Sequence, residues 1–169
     1  MSHVVVVGSM GVGKTTVGRP LAERLGMGFF DGDDELRART GKTAAAIAAT
    51  EGADALHRRE ADLLLELLDE PDPAVVAAAA SIVEDERAVR RLTTDDVTVV
   101  WLRARPATLK RRALAGSHRP FVHDDPSAVA RLDAQRRDAY AALADVTVHV
   151  DDRTPDALVD EVANTLASL

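Results

Sequence analysis

The run Gly8-Ser9-Met10-Gly11-Val12-Gly13-Lys14-Thr15 fits the pattern G-x-x-x-x-G-K-[ST], directly after a β-branched stretch and directly before a helix-spaced one. Glycines at these places let the chain curl, so that successive backbone N–H groups converge on one point. The following helix adds partial positive charge there. A loop of this kind cradles phosphates. Lys14 is placed to reach the β- and γ-phosphates of a nucleotide, and Thr15 to offer its hydroxyl to Mg²⁺. Gly11, Val12, Gly13 and Thr16 complete a nucleotide-binding set.

A second constellation is Phe29-Phe30-Asp31-Gly32-Asp33-Asp34-Glu35-Leu36. It sets carboxylates at the end of a short strand, where parallel sheets bind their ligands. Of Asp31 and Asp33, one suits the metal side of a phosphate site, held through water, and the other a group that accepts hydrogen bonds or a proton from an attacking hydroxyl. Asp34 and Glu35 read instead as the acidic first turn of a helix. Two other users of phosphate loops are disfavoured. Guanine specificity needs an Asn-Lys-x-Asp segment, whereas the sole asparagine is Asn164. Leu63 to Glu70 imitates the hydrophobic-Asp-Glu strand of a motor ATPase, but it continues a helical period from Ala55 and ends at Pro71, which predicts a helix.

Holding these groups requires alternating strands and helices, and the periodicity supplies them. Strands are predicted at His3–Val7, Gly28–Phe30, Ala74–Ala79, Val97–Leu102 and Val146–Val150, each short and apolar without in/out alternation, as strands buried on both faces are. Helices are predicted at Lys14–Leu25, Gly52–Leu68, Glu84–Leu92, Pro106–Ala115, Ser127–Ala142 and Pro155–Leu166. The result is one α/β domain over 1–169, a five-stranded parallel sheet sandwiched by helices, with the order 2-3-1-4-5 expected of a domain built around such a phosphate loop and a segment at about 33–68 expected to hold the second substrate. Gly116 to Pro126 has turn formers at both ends, mixed charges and no period, the composition of a lid.

Composition narrows the partners. The 169 residues carry 21 basic against 28 acidic side chains, a net −7, so a nucleic-acid face or a polybasic membrane anchor has little to build on. The partner expected is a small molecule. The absence of cysteine excludes a thiol nucleophile, a disulfide framework and a Cys-ligated zinc site. The apolar run at the N-terminus is too short for a signal-peptide core, and a cytoplasmic location, as monomer or homodimer, is expected.

Taken in order, these segments resemble the shikimate kinase family, within a larger group that includes gluconate and nucleoside monophosphate kinases. The likeness runs nearly end to end. It includes the phosphate loop, Phe30-Asp31-Gly32-Asp33, Thr40-Gly41-Lys42-Thr43 with Ile47, and Glu51-Gly52 leading to Arg58 and Glu60. It continues through Val99-Val100-Trp101-Leu102, Arg119-Pro120, Arg136 to Tyr140, and Val150-Asp151-Asp152-Arg153-Thr154-Pro155. The resemblance implies an ATP- and Mg²⁺-dependent kinase that transfers the γ-phosphate to a hydroxyl of a small polar metabolite, shikimate or a related cyclitol or sugar acid. It implies Asp31 on the magnesium side and Asp33 on the acceptor's hydroxyls. Arg119 corresponds to the lid arginine over the transferring group, Arg136 to a substrate-binding arginine, and Arg153 to a side chain near adenine.

The acceptor side departs from the family pattern. His57 stands where the first substrate-binding arginine belongs, and an imidazole does not reproduce a guanidinium's two-pronged grip on a carboxylate. The family's three glycines are Ala78-Ala79-Ala80, followed by Ser81, and a further family acid falls at Ala53. The added methyl groups are expected to narrow the pocket and to exclude glycine-only backbone angles. His57, Arg58, Ala79, Ser81 and Arg136 are therefore the expected recognition residues. The alternatives are a gluconate or nucleoside monophosphate kinase, or a regulatory module that binds nucleotide without turnover.

Overall fold

The computed structural model describes residues 2–115, 125 and 127–169. Five parallel strands, β1 (His3–Val7), β2 (Gly28–Asp31), β3 (Ala74–Ala77), β4 (Val97–Arg103) and β5 (Val146–His149), form one sheet in the order β2-β3-β1-β4-β5. Val5 of β1 lies level with Val76 of β3 and with Val99 of β4, which centres β1 in the sheet. Every residue of β1 is buried. Val4 and Val6 pack on one face with Leu21, Leu109 and Leu158; Val5 and Val7 pack on the other with Leu64, Trp101 and Tyr140. Two layers of helices thus cover a sheet whose strands had to be apolar on both sides.

The helices are α1 (Lys14–Leu25), α2 (Gly32–Thr40), α3 (Ala44–Glu51), α4 (Ala53–Leu68), α5 (Glu86–Leu92), α6 (Pro106–Ala115), α7 (Ala128–Leu143) and α8 (Pro155–Leu166), with a 3-10 turn at Ala80–Glu84. Leu63 to Leu68 lies inside α4, as the helical period requires. The sequence pattern predicts no helix at α3 and, for α2, only the acidic first turn at Asp34 and Glu35. The apolar period of α2 is almost absent, since Leu36 is its one buried residue, and α3 is an alanine-rich turn with Ile47 buried. Their caps were legible: Asp31 accepts from the backbone N–H groups of Asp33 and Asp34, and Thr43 from that of Ala46.

Two boundaries differ around the third strand. β3 ends at Ala77 rather than Ala79 because the chain leaves the sheet into the 3-10 turn after one further bond, Ala78 N–H to Val6 O at 3.0 Å. The following helix begins at Glu86, not Glu84, because Asp85 caps it by accepting from Arg87 and Ala88. Glu84 is thereby left at the end of the turn. The lid predicted at 116–126, with Arg119, lies outside the described residues apart from Asp125.

Candidate active site

The phosphate loop is built by geometry that side chains would prevent. Gly8 has φ 144°, and a Cβ there would stand 2.6 Å from the backbone oxygen of Leu102. Gly13 has φ 109° and opens α1 from a left-handed conformation. These positions need glycine on conformational grounds, and Gly8 on steric grounds too. Lys14 Nζ donates to the backbone oxygens of Gly8 at 2.8 Å and Ser9 at 3.1 Å, so the ammonium lies over the loop. From α6, Arg112 donates to the backbone oxygen of Val12 at 2.8 Å and brings a second cation to the same loop. Behind the loop, Ser9 donates to the buried Asp133 of α7, which also receives Arg137 at 2.7 Å.

A cleft of about 690 Å³ opens over the ends of β1 and β3. Residues 10–17 line one side, together with Arg112, Arg153, Pro155 and Leu158. The expected nucleotide set, Gly11, Val12, Gly13, Lys14, Thr15, Thr16 and Arg153, is therefore gathered around one space. Arg153 is braced by Glu161. Asp31 joins this side to the other. Its Oδ1 caps α2, while its Oδ2 accepts the hydroxyl of Thr15. Two oxygen donors in contact beside a phosphate loop suit Mg²⁺, which is commonly bound through one or two protein groups with phosphate oxygens and water.

The remaining lining includes Asp33, Leu56, His57, Glu60, Ala77–Ser81 and Arg136. Ser81 donates to Glu60 Oε2 at 2.6 Å, and burial, against the lowering effect of that bond and with a smaller push from Asp33, raises the Glu60 carboxyl to about 7. Arg136, 9% exposed, is held by Glu84 through two bonds: Nε to Oε1 and a terminal nitrogen to Oε2, both 3.1 Å. His57 Nδ1 lies 3.8 Å from the same carboxylate. Tyr140 donates to Ala80 O at 2.6 Å and fixes the turn after β3.

Of the expected recognition residues, His57, Ala79, Ser81 and Arg136 meet at the cleft. Arg58 does not. One step further along α4, it points away from the lining and is exposed, because neighbouring helix positions are turned about 100° apart. The alanine run needs no unusual backbone: Ala79 sits at φ −61°, ψ 147°, and Asp152 is the one non-glycine with positive φ among the described residues. Two cleft residues, Arg112 and Glu60, and Glu84, which bonds to the lining residue Arg136, are not among the expected site groups. A basic run at Lys110-Arg111-Arg112 one helix before the expected lid was a signal for the first. Glu60 falls one helical turn after His57; Glu84 carried no signal, since its place depends on where β3 ends.

The shikimate kinase family model matches residues 10–167 of the chain. The chain is 37% identical to the shikimate kinase of Symbiobacterium thermophilum over 97% of its own length and 95% of the relative's. It is 38% identical to that of Caulobacter vibrioides over 88% and 72%.

The chain belongs to the shikimate kinase family.

In structure it is similar to the shikimate kinase from Acinetobacter baumannii in complex with shikimate, with a TM-score of 0.92, 28% identity and coverage of 99% and 94%. A gluconokinase from Sinorhizobium meliloti, at TM-score 0.71 and 21% identity over 99% and 92%, shares the fold. The chain is a shikimate kinase-like, ATP-dependent phosphotransferase with a hydroxyl acceptor, and its cofactors are ATP and Mg²⁺. The five-stranded sheet is that of a P-loop kinase. Among the described residues, no helix is long and apolar enough to cross a membrane.

Proposed function

We propose that this enzyme transfers the γ-phosphoryl group of ATP to one hydroxyl of a small ring polyol, shikimate or a related cyclitol or sugar acid, with Asp33 as the group that takes the hydroxyl's proton. The observation that carries the reading is one cleft lined both by Lys14 and the phosphate loop and by Asp33, with Asp31 between them bonded to Thr15. In the reaction the acceptor oxygen forms a bond to the γ-phosphorus, the bond from that phosphorus to the β–γ bridging oxygen breaks, and ADP leaves. The acceptor's proton passes to the Asp33 carboxylate. Loop N–H groups and Lys14 hold the phosphates, and Thr15 and Asp31 are the residues that would hold Mg²⁺, which supplies charge neutralisation on the phosphate oxygens. Phosphoryl transfer of this kind is chiefly positioning and electrostatics.

Arg153 lies beside adenine, Arg119 belongs to the closing lid at 116–126, and residues 33–68 carry the acceptor in a single kinase domain. The same reading takes the enzyme as a cytoplasmic monomer or homodimer. Intact Lys14, Asp31 and Asp33 favour catalysis over a regulatory module, which needs no acceptor base. The test is ADP release from Mg-ATP with shikimate, quinate, gluconate, neutral cyclitols and nucleoside monophosphates, using Lys14→Ala as blank. Turnover with a ring polyol is expected. Turnover with a nucleoside monophosphate alone, or silence throughout while Mg-ATP binds, overturns the reading.

A further inference from the structure

Among the described residues, the two cationic groups on the acceptor side of the cleft both face a carboxylate of the protein itself. Three carboxyls, Asp33, Glu60 and Glu84, stand at or beside it, against the guanidinium of Arg136 and the imidazole of His57. Glu84 engages Arg136 through both Nε and a terminal nitrogen, the same side-on geometry by which an arginine grips a carboxylate ligand. That bidentate site is filled by the protein's own carboxylate. Glu84 also faces His57, so both candidates for binding an acidic group look onto one anion. Arg58 and Arg59, the cations that follow His57 on α4, are outside the lining, and Arg59 is bonded to Glu51. A carboxylated acceptor would have to displace Glu84 from Arg136 or lie beside the Asp33 and Glu84 carboxylates, and like-charge juxtaposition of this kind is unfavourable.

What the side does offer is hydroxyl chemistry. Asp33 and Glu60 accept hydrogen bonds, Ser81 both donates and accepts, and the His57 ring presents nitrogens at the same wall. Leu56 and the methyl groups of Ala78–Ala80 supply an apolar surface for a carbon ring. We propose that the acceptor is an uncharged polyol, recognised through hydroxyls by Asp33, His57, Glu60 and Ser81, and that the Glu84–Arg136 pair discriminates against its carboxylated counterparts. This rests on the phosphotransfer reading above and names its substrate class. Arg136 is in this account a positioning residue: locked by Glu84, it braces the wall that His57 and Tyr140 complete.

Acceptor pairs that differ in charge alone test the proposal. Initial rates with saturating Mg-ATP are compared for shikimate against the same ring carrying hydroxymethyl in place of carboxylate, and for gluconate against glucitol. In whichever pair is turned over, kcat/KM is expected to be at least about fivefold higher for the neutral member. The double variant His57→Arg, Glu84→Gln is expected to shift that ratio toward the acid by a similar factor. A smaller preference, or a preference for the acid, in the wild-type enzyme overturns the proposal alone. Silence with all four compounds and with every other neutral cyclitol, while Mg-ATP still binds, overturns the phosphotransfer reading and this proposal with it.

Discussion

The two sides of the cleft obey different rules. The nucleotide side is made mainly of backbone: glycine angles, loop N–H groups and the start of α1, with Lys14 and Arg112 bonded to loop carbonyls. Its ligand is defined by phosphate geometry, so a short local motif fixes it. The acceptor side is made of side chains from α2, α4, the 3-10 turn and α7, which meet only in three dimensions. One exchange there, His57 where the family pattern has an arginine, alters the group offered to the acceptor while the fold stands. A family can therefore hold its chemistry constant through backbone and vary its substrate through a few side chains.

Lys14→Ala is the strongest test of the nucleotide side. Turnover is expected to fall on the order of a thousandfold or more, as when a fixed positive donor is removed from a transition state, with the thermal midpoint nearly unchanged. Asp33→Asn separates the sides: kcat should drop by roughly a hundred- to a thousandfold through loss of the base, while ATP binding by calorimetry stays within about twofold of wild type because the loop is intact.

Glu60 sharpens the comparison through pH. Its folded carboxyl is raised from the ordinary 4.5 to about 7 by burial. The folded state therefore holds the proton more tightly, and the stability this supplies, complete below 4.5, is lost as pH rises through about 7. Between roughly pH 5.5 and 8.5 the wild-type protein should lose about 2 kcal/mol through this group, at about 1.4 kcal/mol per pH unit. Glu60→Gln should lack that loss, read from urea midpoints at the two pH values. An equal pH dependence in both proteins would show that Glu60 is ionised in the cleft. The smallest effect is expected at Arg153→Ala, a rise of no more than about fivefold in KM for ATP, because Arg153 is already bonded to Glu161 and exposed groups contribute little.

How much the chain disclosed follows the same division. The phosphate loop, β1, α1, α6 and α8 were legible to the residue, the loop through its motif, β1 through its unbroken apolar run, and the helices through their periods and clear boundaries: Gly26 after Leu25, and Pro106 and Pro155 as first residues. The strand order was legible through the resemblance. α2 and α3 were not, because helices that bury one residue each have no period to read and depend on their caps. On the acceptor side His57 and Arg136, picked out by position in the family pattern, line the cleft, whereas Arg58 does not, because adjacent helix residues face different ways. Glu84 was out of reach, as its role follows from the two residues by which β3 falls short of its apolar run.

The central claim is that the two sides can be altered independently, and His57→Arg tests it most directly. Full initial-velocity kinetics with both substrates varied should show KM for ATP within about twofold of wild type and acceptor kcat/KM changed by about fivefold or more. A change in KM for ATP as large as the change in acceptor kcat/KM would contradict it.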